Sequence, residues 1–310
     1  MIARARIAVV VLGAFALCSA ALGQQMKVEE QLEGTMPAKV ESFLATPDGL
    51  HVAVVTTQAD RRVVLVDGKA GPEYKWIGER RFSPDGSRFA YVAFTGEKYL
   101  VVCDGQEGKP YDAIAAGWPQ FSPDGKRLAY VVQKGTGWMA VVDGQEGPAY
   151  TAILRDTPVF SQDSSAVLYG AQKKGAWYAV VDGKEQGPYK GLGAVASSGK
   201  RFAYAANKDT AWVIVVDGKP STAYAGIAPL SPVFSPDGQR WAAVVRVGTK
   251  WALALDGKRT ADYDAVIAGG PTFLPDGRVE ILATRGGKLY RVRTLLPGTG
   301  QMLMGAPGPK

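Results

Sequence analysis

Short apolar runs separated by turn residues make up most of the chain. Residues 128–132 (Leu-Ala-Tyr-Val-Val) and 138–142 (Trp-Met-Ala-Val-Val) are examples. Such runs are rich in β-branched and aromatic residues and too short for helices. They end at Asp-Gly pairs, which suit tight hairpins because Gly adopts positive φ at little cost and Asp tolerates it. The pattern therefore predicts β-strands joined by hairpins, without a long amphipathic helix.

One of these units repeats along the chain. The segment Phe-Ser-Pro-Asp-Gly-Lys-Arg-Leu-Ala-Tyr at residues 121–130 returns in altered form at steps of 37, 39, 39, 35, 39 and 39 residues. The turn position of each copy is occupied by Asp48, Asp85, Asp124, Asp163, Ser198, Asp237 and Asp276. Seven repeats of about 40 residues indicate an array of similar supersecondary units.

Three further signals recur at fixed distances after the turn position. Fourteen residues on lies an aromatic residue in six repeats, with Arg62 as the exception: Tyr99, Trp138, Trp177, Trp212, Trp251 and Tyr290. Nineteen residues on begins a second Asp-Gly pair: Asp67, Asp104, Asp143, Asp182, Asp217 and Asp256. Twenty-six residues on lies a tyrosine: Tyr74, Tyr111, Tyr150, Tyr189, Tyr224 and Tyr263. Four strands in about 40 residues are typical of a propeller blade. The sequence predicts an all-β fold, a single seven-bladed β-propeller of four-stranded antiparallel blades.

The two ends of the array complement each other. The seventh repeat stops after Tyr290, without a second Asp-Gly pair or its tyrosine, so its outer strand is missing. Residues 33–40 match residues 146–153 in register and would supply that strand. We expect this N-terminal strand to close the last blade, because closure removes the exposed sheet edges. Truncating residues 26–40 would then destabilise the ring.

The termini differ in composition from the repeats. Arg4 and Arg6 precede an apolar run at residues 7–17, which predicts a signal peptide over residues 1–23 and export to the periplasm or secretion. Lipidation of Cys18 is the alternative, although the bulky Leu17 before it disfavours that reading. We expect the propeller over residues 24–294 and a flexible tail over residues 295–310, which are rich in Gly, Pro and Met.

A family resemblance follows from the repeated segments. The copies of Phe-Ser-Pro-Asp-Gly at residues 82–86, 121–125 and 234–238 resemble the WD40-like Pro-Asp repeat of TolB-type β-propellers. The likeness covers nearly all of residues 33–293. That family includes periplasmic interaction modules and the propeller domains of serine peptidases. The chain lacks a Gly-x-Ser-x-Gly elbow, so the resemblance implies a stand-alone propeller.

Candidate catalytic and metal-binding residues are few. His51 is the only histidine and occupies a position held by arginine in four other repeats, so we expect a solvated side chain. Cys103 is the only cysteine after residue 23, and valine occupies its position in other repeats, which favours a buried, inert thiol. We expect no metal and no cofactor, because ligand sets for zinc or calcium are missing.

Aromatic residues allow two interpretations. The aromatic and tyrosine series recur once per repeat, so packing between sheets is favoured over a ligand platform. Trp76 and Trp118 stand outside these series and are weak candidates for the rim of a pocket.

Charge is unevenly distributed. The window nine to thirteen residues after each turn position holds ten Lys or Arg against three acidic residues, a net charge of +7. The whole chain also nets +7, and removing Arg4 and Arg6 leaves +5. In a propeller these hairpins emerge on one face, which would be basic. The candidate binding residues on that face are Lys98, Lys134, Lys173, Lys174, Lys208, Arg246, Lys250, Arg285 and Lys288.

These observations predict an exported, non-catalytic propeller that acts as a scaffold in the cell envelope. Its partner would be an envelope protein or an anionic glycan or lipid surface, whose attraction weakens with salt. Ordinary solvation of hairpin lysines explains the charge equally well. Nucleic acid is not expected for an exported chain, and we expect a monomer. The alternative is a propeller enzyme, a hydrolase or oxidoreductase, with a small-ligand site in the central tunnel.

Overall fold

The computed structural model describes residues 39–267 and 270–294. In that part of the chain there are 31 strands and no helix, and the strands form seven antiparallel sheets. The predicted signal peptide, residues 33–38 of the closing strand predicted over residues 33–40, and the C-terminal tail lie outside the described residues. The end of the predicted closing strand is wrong, because Val40 begins the first strand of sheet 1 and faces Thr56. The chain divides into two compact units. Unit 1 holds the described residues up to Thr136 together with Val141–Glu146, and unit 2 holds Gly137–Ala140 and the residues from Gly147 onward.

The sheets follow one another along the chain, numbered here in that order. Sheet 1 consists of β1 (Val40–Ala45), β2 (Val52–Gln58), β3 (Arg61–Val66) and β4 (Lys69–Tyr74). Sheet 2 consists of β5 (Trp76–Phe82), β6 (Phe89–Phe94), β7 (Tyr99–Cys103) and β8 (Gln106–Glu107). Sheet 3 consists of β9 (Ala113–Ile114), β10 (Gln120–Phe121), β11 (Leu128–Lys134), β12 (Gly137–Val142) and β13 (Gln145–Glu146). Sheet 4 consists of β14 (Ala152–Ile153), β15 (Val159–Phe160), β16 (Val167–Lys173), β17 (Ala176–Val181) and β18 (Lys184–Tyr189).

The last three sheets continue the series. Sheet 5 consists of β19 (Gly191–Ser198), β20 (Arg201–Lys208), β21 (Ala211–Val216) and β22 (Lys219–Pro220). Sheet 6 consists of β23 (Gly226–Ile227), β24 (Val233–Phe234), β25 (Trp241–Val247), β26 (Lys250–Leu255) and β27 (Lys258–Arg259). Sheet 7 consists of β28 (Ala265–Val266), β29 (Thr272–Phe273), β30 (Val279–Arg285) and β31 (Lys288–Arg293). Seven sheets from seven repeats confirm the predicted repeat count and the all-β class.

The first strand of a repeat is divided in sheets 3, 4, 6 and 7. In each of these sheets two short strands pair with different parts of the same second strand, as β9 and β10 do with β11. A proline lies just before the second half of each divided strand: Pro119, Pro158, Pro232 and Pro271. Proline has no N–H to donate to a sheet, so pairing stops there. The first strand is therefore interrupted in these four sheets, while β1, β5 and β19 run unbroken.

The two predicted turns are stabilised by their own side chains. In the turn before β11, the Ser122 hydroxyl donates to Asp124 Oδ1 over 2.6 Å and accepts from the Arg127 amide over 2.9 Å. The second turn, Asp104-Gly105, has φ of 53° and 78°, as a two-residue hairpin requires. These contacts confirm a structural role for the turn aspartates.

Tyrosines connect consecutive sheets. The rings of Tyr74 and Tyr91 meet edge to face at 6.1 Å, and the same arrangement joins sheets 2 and 3 through Tyr111 and Tyr130 at 6.4 Å. Tyr111 is 1% exposed, and its hydroxyl donates to Glu146 of the next outer strand over 3.2 Å. The tyrosine series is therefore packing between sheets, as predicted.

Sheet 7 departs from the repeat. The turn between Asp276 and Val279 is one residue shorter than its counterparts, so Leu289 faces Thr284 where sheet 6 has Trp251 facing Arg246. Leu289, which is 62% exposed, thus holds the aromatic position that the sequence assigned to Tyr290. Among the described residues β31 pairs only with β30, so the outer strand is missing, as predicted.

Candidate functional site

The hairpins between the second and third strands lie at the opposite end of the sheets from the Asp-Gly turns. In unit 2 the turns that precede the second strands contact one another, because the Asp163 amide donates to the Gly199 carbonyl over 3.2 Å and Arg201 donates to the Gly238 carbonyl over 2.7 Å. The hairpins of sheets 4 to 7 therefore share the other end of that unit, which is called the hairpin end below. It carries seven of the nine predicted binding residues, Lys173 and those after it.

Four of the nine predicted cations are paired with carboxylates. In unit 1, Lys98 pairs with Asp112, and Lys134 lies 3.5 Å from Glu146. In unit 2, Lys173 pairs with Glu185 and Lys250 with Asp264. The charge count of the sequence window omitted these four carboxylates, so it overstated the free positive charge of the hairpins.

Two of these carboxylates bridge neighbouring hairpins. Asp112 accepts from Lys98 of one hairpin and from the Gly135 amide of the next, over 2.6 Å in the second case. Asp264 does the same with Lys250 and the Gly286 amide, the latter over 2.7 Å. Each aspartate directly follows a tyrosine of the outer-strand series, and this position is the sequence signal that could have identified both.

The same position carries the opposite charge in two other repeats. Lys75 follows Tyr74 and pairs with Asp60, and Lys190 follows Tyr189 and lies 3.2 Å from Asp209. The charge of the residue that follows the tyrosine is thus opposite to the charge of the hairpin residue that it contacts. These pairs fix the hairpins, and because they are exposed and screened by solvent each adds little stability.

Five predicted binding residues of unit 2 have no carboxylate within ion-pairing distance among the described residues. They are Lys174, Lys208, Arg246, Arg285 and Lys288, and all five are exposed. Arg285 lies over the rings of Tyr263 and Tyr290, at 5.4 and 5.1 Å from their centroids, and Arg246 lies 6.0 Å from Trp251. The uncompensated charge of the predicted basic face is therefore concentrated at the hairpin end of unit 2.

His51 is partly exposed to solvent beside its turn, as the sequence predicts, and it also forms a pair. Its Nδ1 lies 2.8 Å from Asp67 Oδ2, and the side chain is about half exposed. The hydrogen bond to Asp67 raises the pKa of His51 above its usual value. Arg88, Arg127, Arg201 and Arg240 make the same contact with the Asp-Gly aspartate of their own sheets. His51 is thus the histidine version of a repeated structural pair.

Cys103 is only partly buried, but its environment suppresses reactivity. Burial raises the pKa of the thiol to about 12, with the neighbouring Asp104 adding to the effect. Its Sγ accepts from Arg88 over 3.1 Å. A thiol that stays protonated is a poor nucleophile, in agreement with the inert role predicted for it.

Unit 1 contains three cavities near its sheets. One of about 330 Å³ lies between sheets 1 and 2, with His51, Asp67 and Arg88 among its lining residues. A second, of about 550 Å³, has the corresponding position between sheets 2 and 3 and is lined in part by Cys103. The third, of about 410 Å³, is lined by residues of β1 and β5, including Phe43 and Trp76.

The two tryptophans that were candidates for a pocket rim differ in solvent exposure. Trp76 is 43% exposed and lines the third cavity, as its candidacy required. Trp118 is 6% exposed and does not line any of these cavities, so its candidacy was wrong. It directly precedes Pro119 in a divided first strand.

The described residues include neither a metal-binding group nor a membrane-spanning helix. In residues 39–267 and 270–294, the His, Cys, Asp and Glu side chains form no group of three or more that could hold a metal ion. Nor does that range include a helix with the length and apolarity needed to span a membrane.

Comparisons with known proteins bear on the fold. No family model and no curated protein match the sequence. The structure is similar to the β-propeller domain of the Trilobed protease from Pyrococcus furiosus, at 13% identity over 85% of this chain and 98% of that one, with a TM-score of 0.38. It is similar to the Cps50 (Swd1) β-propeller domain of Myceliophteria thermophila, at 11% identity over 84% and 100% of the chains, with a TM-score of 0.32.

A third similar structure is TolB from Acinetobacter baumannii, at 18% identity and a TM-score of 0.31. That match covers 67% of this chain and 62% of the TolB chain. Two of these three similar structures are β-propeller domains.

Proposed function

We propose that the chain is a non-catalytic, exported β-propeller that binds an anionic partner through the hairpin end of unit 2. In this proposal the seven sheets are the blades of one ring, residues 33–38 supply the outer strand of the last blade, and residues 1–23 are removed on export. The site needs no metal or cofactor.

The observation that carries the proposal is the set of five cations without carboxylate partners at the hairpin end. At the opposite end of the sheets, four arginines are paired with aspartates beside the Asp-Gly turns. Clustered unpaired cations raise the local positive potential, which attracts anionic surfaces and weakens with added salt. Lys174, Lys208 and Lys288 make no ring contact among the described residues, so their ammonium groups are available to a partner.

The test reverses the charge of Lys174, Lys208 and Lys288 together. We expect the Lys-to-Glu triple variant to elute from heparin-agarose, a polyanion probe, at lower salt than the unmodified protein, with unchanged thermal unfolding. It should also lose the salt-sensitive components that the unmodified protein captures from an envelope extract.

The chain offers a matched control. Lys184, Lys219 and Lys258 directly follow the Asp-Gly turns of sheets 4, 5 and 6, are exposed, and have no ion-pair partner among the described residues. They lie at the opposite end of unit 2. Reversing these three lysines changes net charge equally, so equal loss of heparin retention in both variants would contradict a site at the hairpin end.

A further inference from the structure

Trp76 occupies a position that the other sheets fill with a small residue or with lysine. On β5 it faces Phe94 of the second strand. The residues that face the corresponding position in sheets 3 to 7 are Ala113, Ala152, Gly191, Gly226 and Ala265. In sheet 1 the position belongs to Lys39, whose carbonyl accepts from the Thr57 amide. The sheet architecture therefore does not require an indole at residue 76.

The indole is nevertheless held in one place. Its six-membered ring lies over the backbone of Gly78, where any Cβ would collide with it. Tyr99 contacts it edge to face, with centroids 6.4 Å apart at 80°. Tyr99 in turn packs on Phe94 at 4.6 Å. A large apolar side chain that is fixed yet 43% exposed is arranged for contact with something outside the sheet.

A second exposed aromatic side chain lines the same cavity. Phe43 on β1 is 72% exposed, and its counterpart in sheet 5, which faces Tyr204, is Val195. Together with Leu44 and Ile77 it gives the cavity of about 410 Å³ an apolar side. That volume is within the usual range of small-molecule sites, about 300–1,000 Å³.

The polar groups of the cavity are balanced in charge. Glu79 is exposed and has no ion-pair partner among the described residues, and Arg80 donates to the Gly78 carbonyl over 3.3 Å. One carboxylate and one guanidinium supply both acceptors and donors without a net charge. Such a lining favours a neutral ligand that carries several hydroxyl groups over an ion of either sign.

We propose that this cavity binds a neutral saccharide. The C–H face of a sugar ring carries slight positive charge and stacks on the electron-rich face of the indole. Phe43 contacts the same or the adjacent ring, and Glu79 and Arg80 hydrogen bond with its hydroxyls. The site lies in unit 1 and uses none of the lysines of the hairpin end. The saccharide proposal is therefore independent of the proposed function.

Isothermal titration calorimetry of the full chain with maltotriose, cellotriose and chitotriose tests the proposal. We expect at least one trisaccharide to bind, and Trp76→Ala to raise its dissociation constant about tenfold or more, as removal of a stacking ring does. Alanine is the residue that sheets 3, 4 and 7 carry at this position, so this variant should fold normally.

Gly78→Ala provides a second variant that keeps the tryptophan. The added methyl group takes the space of the indole and displaces it, so binding should weaken although Trp76 is present. Leu289→Ala removes another exposed apolar side chain, in unit 2, and should leave binding unchanged. The proposal is overturned if none of the three trisaccharides binds, or if Trp76→Ala binds them as tightly as the unmodified protein does. It is also overturned if the cavity binds N-acetyltryptophanamide, an aromatic peptide analogue, in place of the trisaccharides.

Discussion

The guanidinium of Arg88 donates from Nε to Oδ2 of Asp104 over 2.8 Å, and this contact secures the turn on which sheet 2 depends. The other oxygen of the same carboxylate accepts from the amide of Phe89 over 2.9 Å. One aspartate thus fixes the start of the second strand and the residue before it. In sheet 7 Thr294 makes only the second of these two contacts, because its hydroxyl accepts from the Val279 amide over 2.8 Å.

Replacing Asp104 should separate these two contributions. Asp104→Ala leaves the Phe89 amide without its acceptor and Arg88 without its carboxylate, so we expect a loss of about 2–3 kcal/mol in the free energy of unfolding. Asp104→Asn should lose less, because asparagine tolerates the φ of 53° and its side-chain oxygen can still accept from the Phe89 amide. Urea denaturation measures both, and equal losses in the two variants would contradict this division.

The pair between His51 and Asp67 should make stability depend on pH near neutrality. The pKa of His51 is raised in the folded protein by the hydrogen bond and charge of Asp67, so the ion pair contributes fully below the pKa of the unfolded chain, about 6.5. The contribution is lost as pH rises through the folded pKa. We expect the melting temperature of the unmodified protein to fall relative to His51→Arg between pH 5.5 and 8.

Arginine occupies the position of His51 in four other sheets, so His51→Arg should keep the pair at every pH in that range. The melting-temperature difference between the two proteins should therefore be smallest at the acid end. A difference that stays constant from pH 5.5 to 8 would show that His51 does not form the charged pair.

Two tyrosines of the outer-strand series should respond oppositely to loss of their hydroxyl groups. Tyr111 donates to Glu146, whereas the buried hydroxyl of Tyr224 has no partner among the described residues. Sheet 6 carries Arg259 and Ala243 where sheet 3 carries Glu146 and Tyr130. Tyr111→Phe should cost about 1 kcal/mol, while Tyr224→Phe should be neutral or stabilising, because a buried unpaired hydroxyl is itself unfavourable.

Chemical denaturation of the two phenylalanine variants supplies the comparison, since each removes one oxygen at a buried site. Tyr74→Phe, which loses a bond to Glu107 over 2.6 Å, should behave like Tyr111→Phe. A destabilisation by Tyr224→Phe as large as that by Tyr111→Phe would mean that the hydroxyl of Tyr224 has a partner in solution.

The repeat count and turn positions were predictable because they depend on local chemistry. Both residues of an Asp-Gly hairpin such as Asp104-Gly105 have positive φ, and a preference of this kind needs no knowledge of the rest of the chain. The divided first strands were also encoded, since Pro119 and its three counterparts cannot donate to a sheet.

The candidate site was less predictable because it depends on contacts between repeats. The pairing of Lys98 with Asp112 joins residues 14 positions apart through the fold. A count of charges within the sequence of one hairpin leaves out the carboxylates elsewhere in the chain that pair with its lysines. Trp76 and Trp118 likewise look alike in sequence, and only the path of the first strand decides which one is exposed.

The unpaired edge of β31 leads to the last prediction. The strand is exposed along most of its length, and no described residue pairs with its outer edge. Removing residues 26–38 takes away the strand proposed to cover it while sparing Lys39, whose carbonyl accepts from Thr56 over 2.6 Å in sheet 1. An open edge invites pairing between chains, so we expect a lower melting temperature and concentration-dependent aggregation.

Removing residues 299–310 instead is the control and should change neither property. If the N-terminal truncation melts and sediments as the full chain does, the last sheet is not closed by the N-terminal segment.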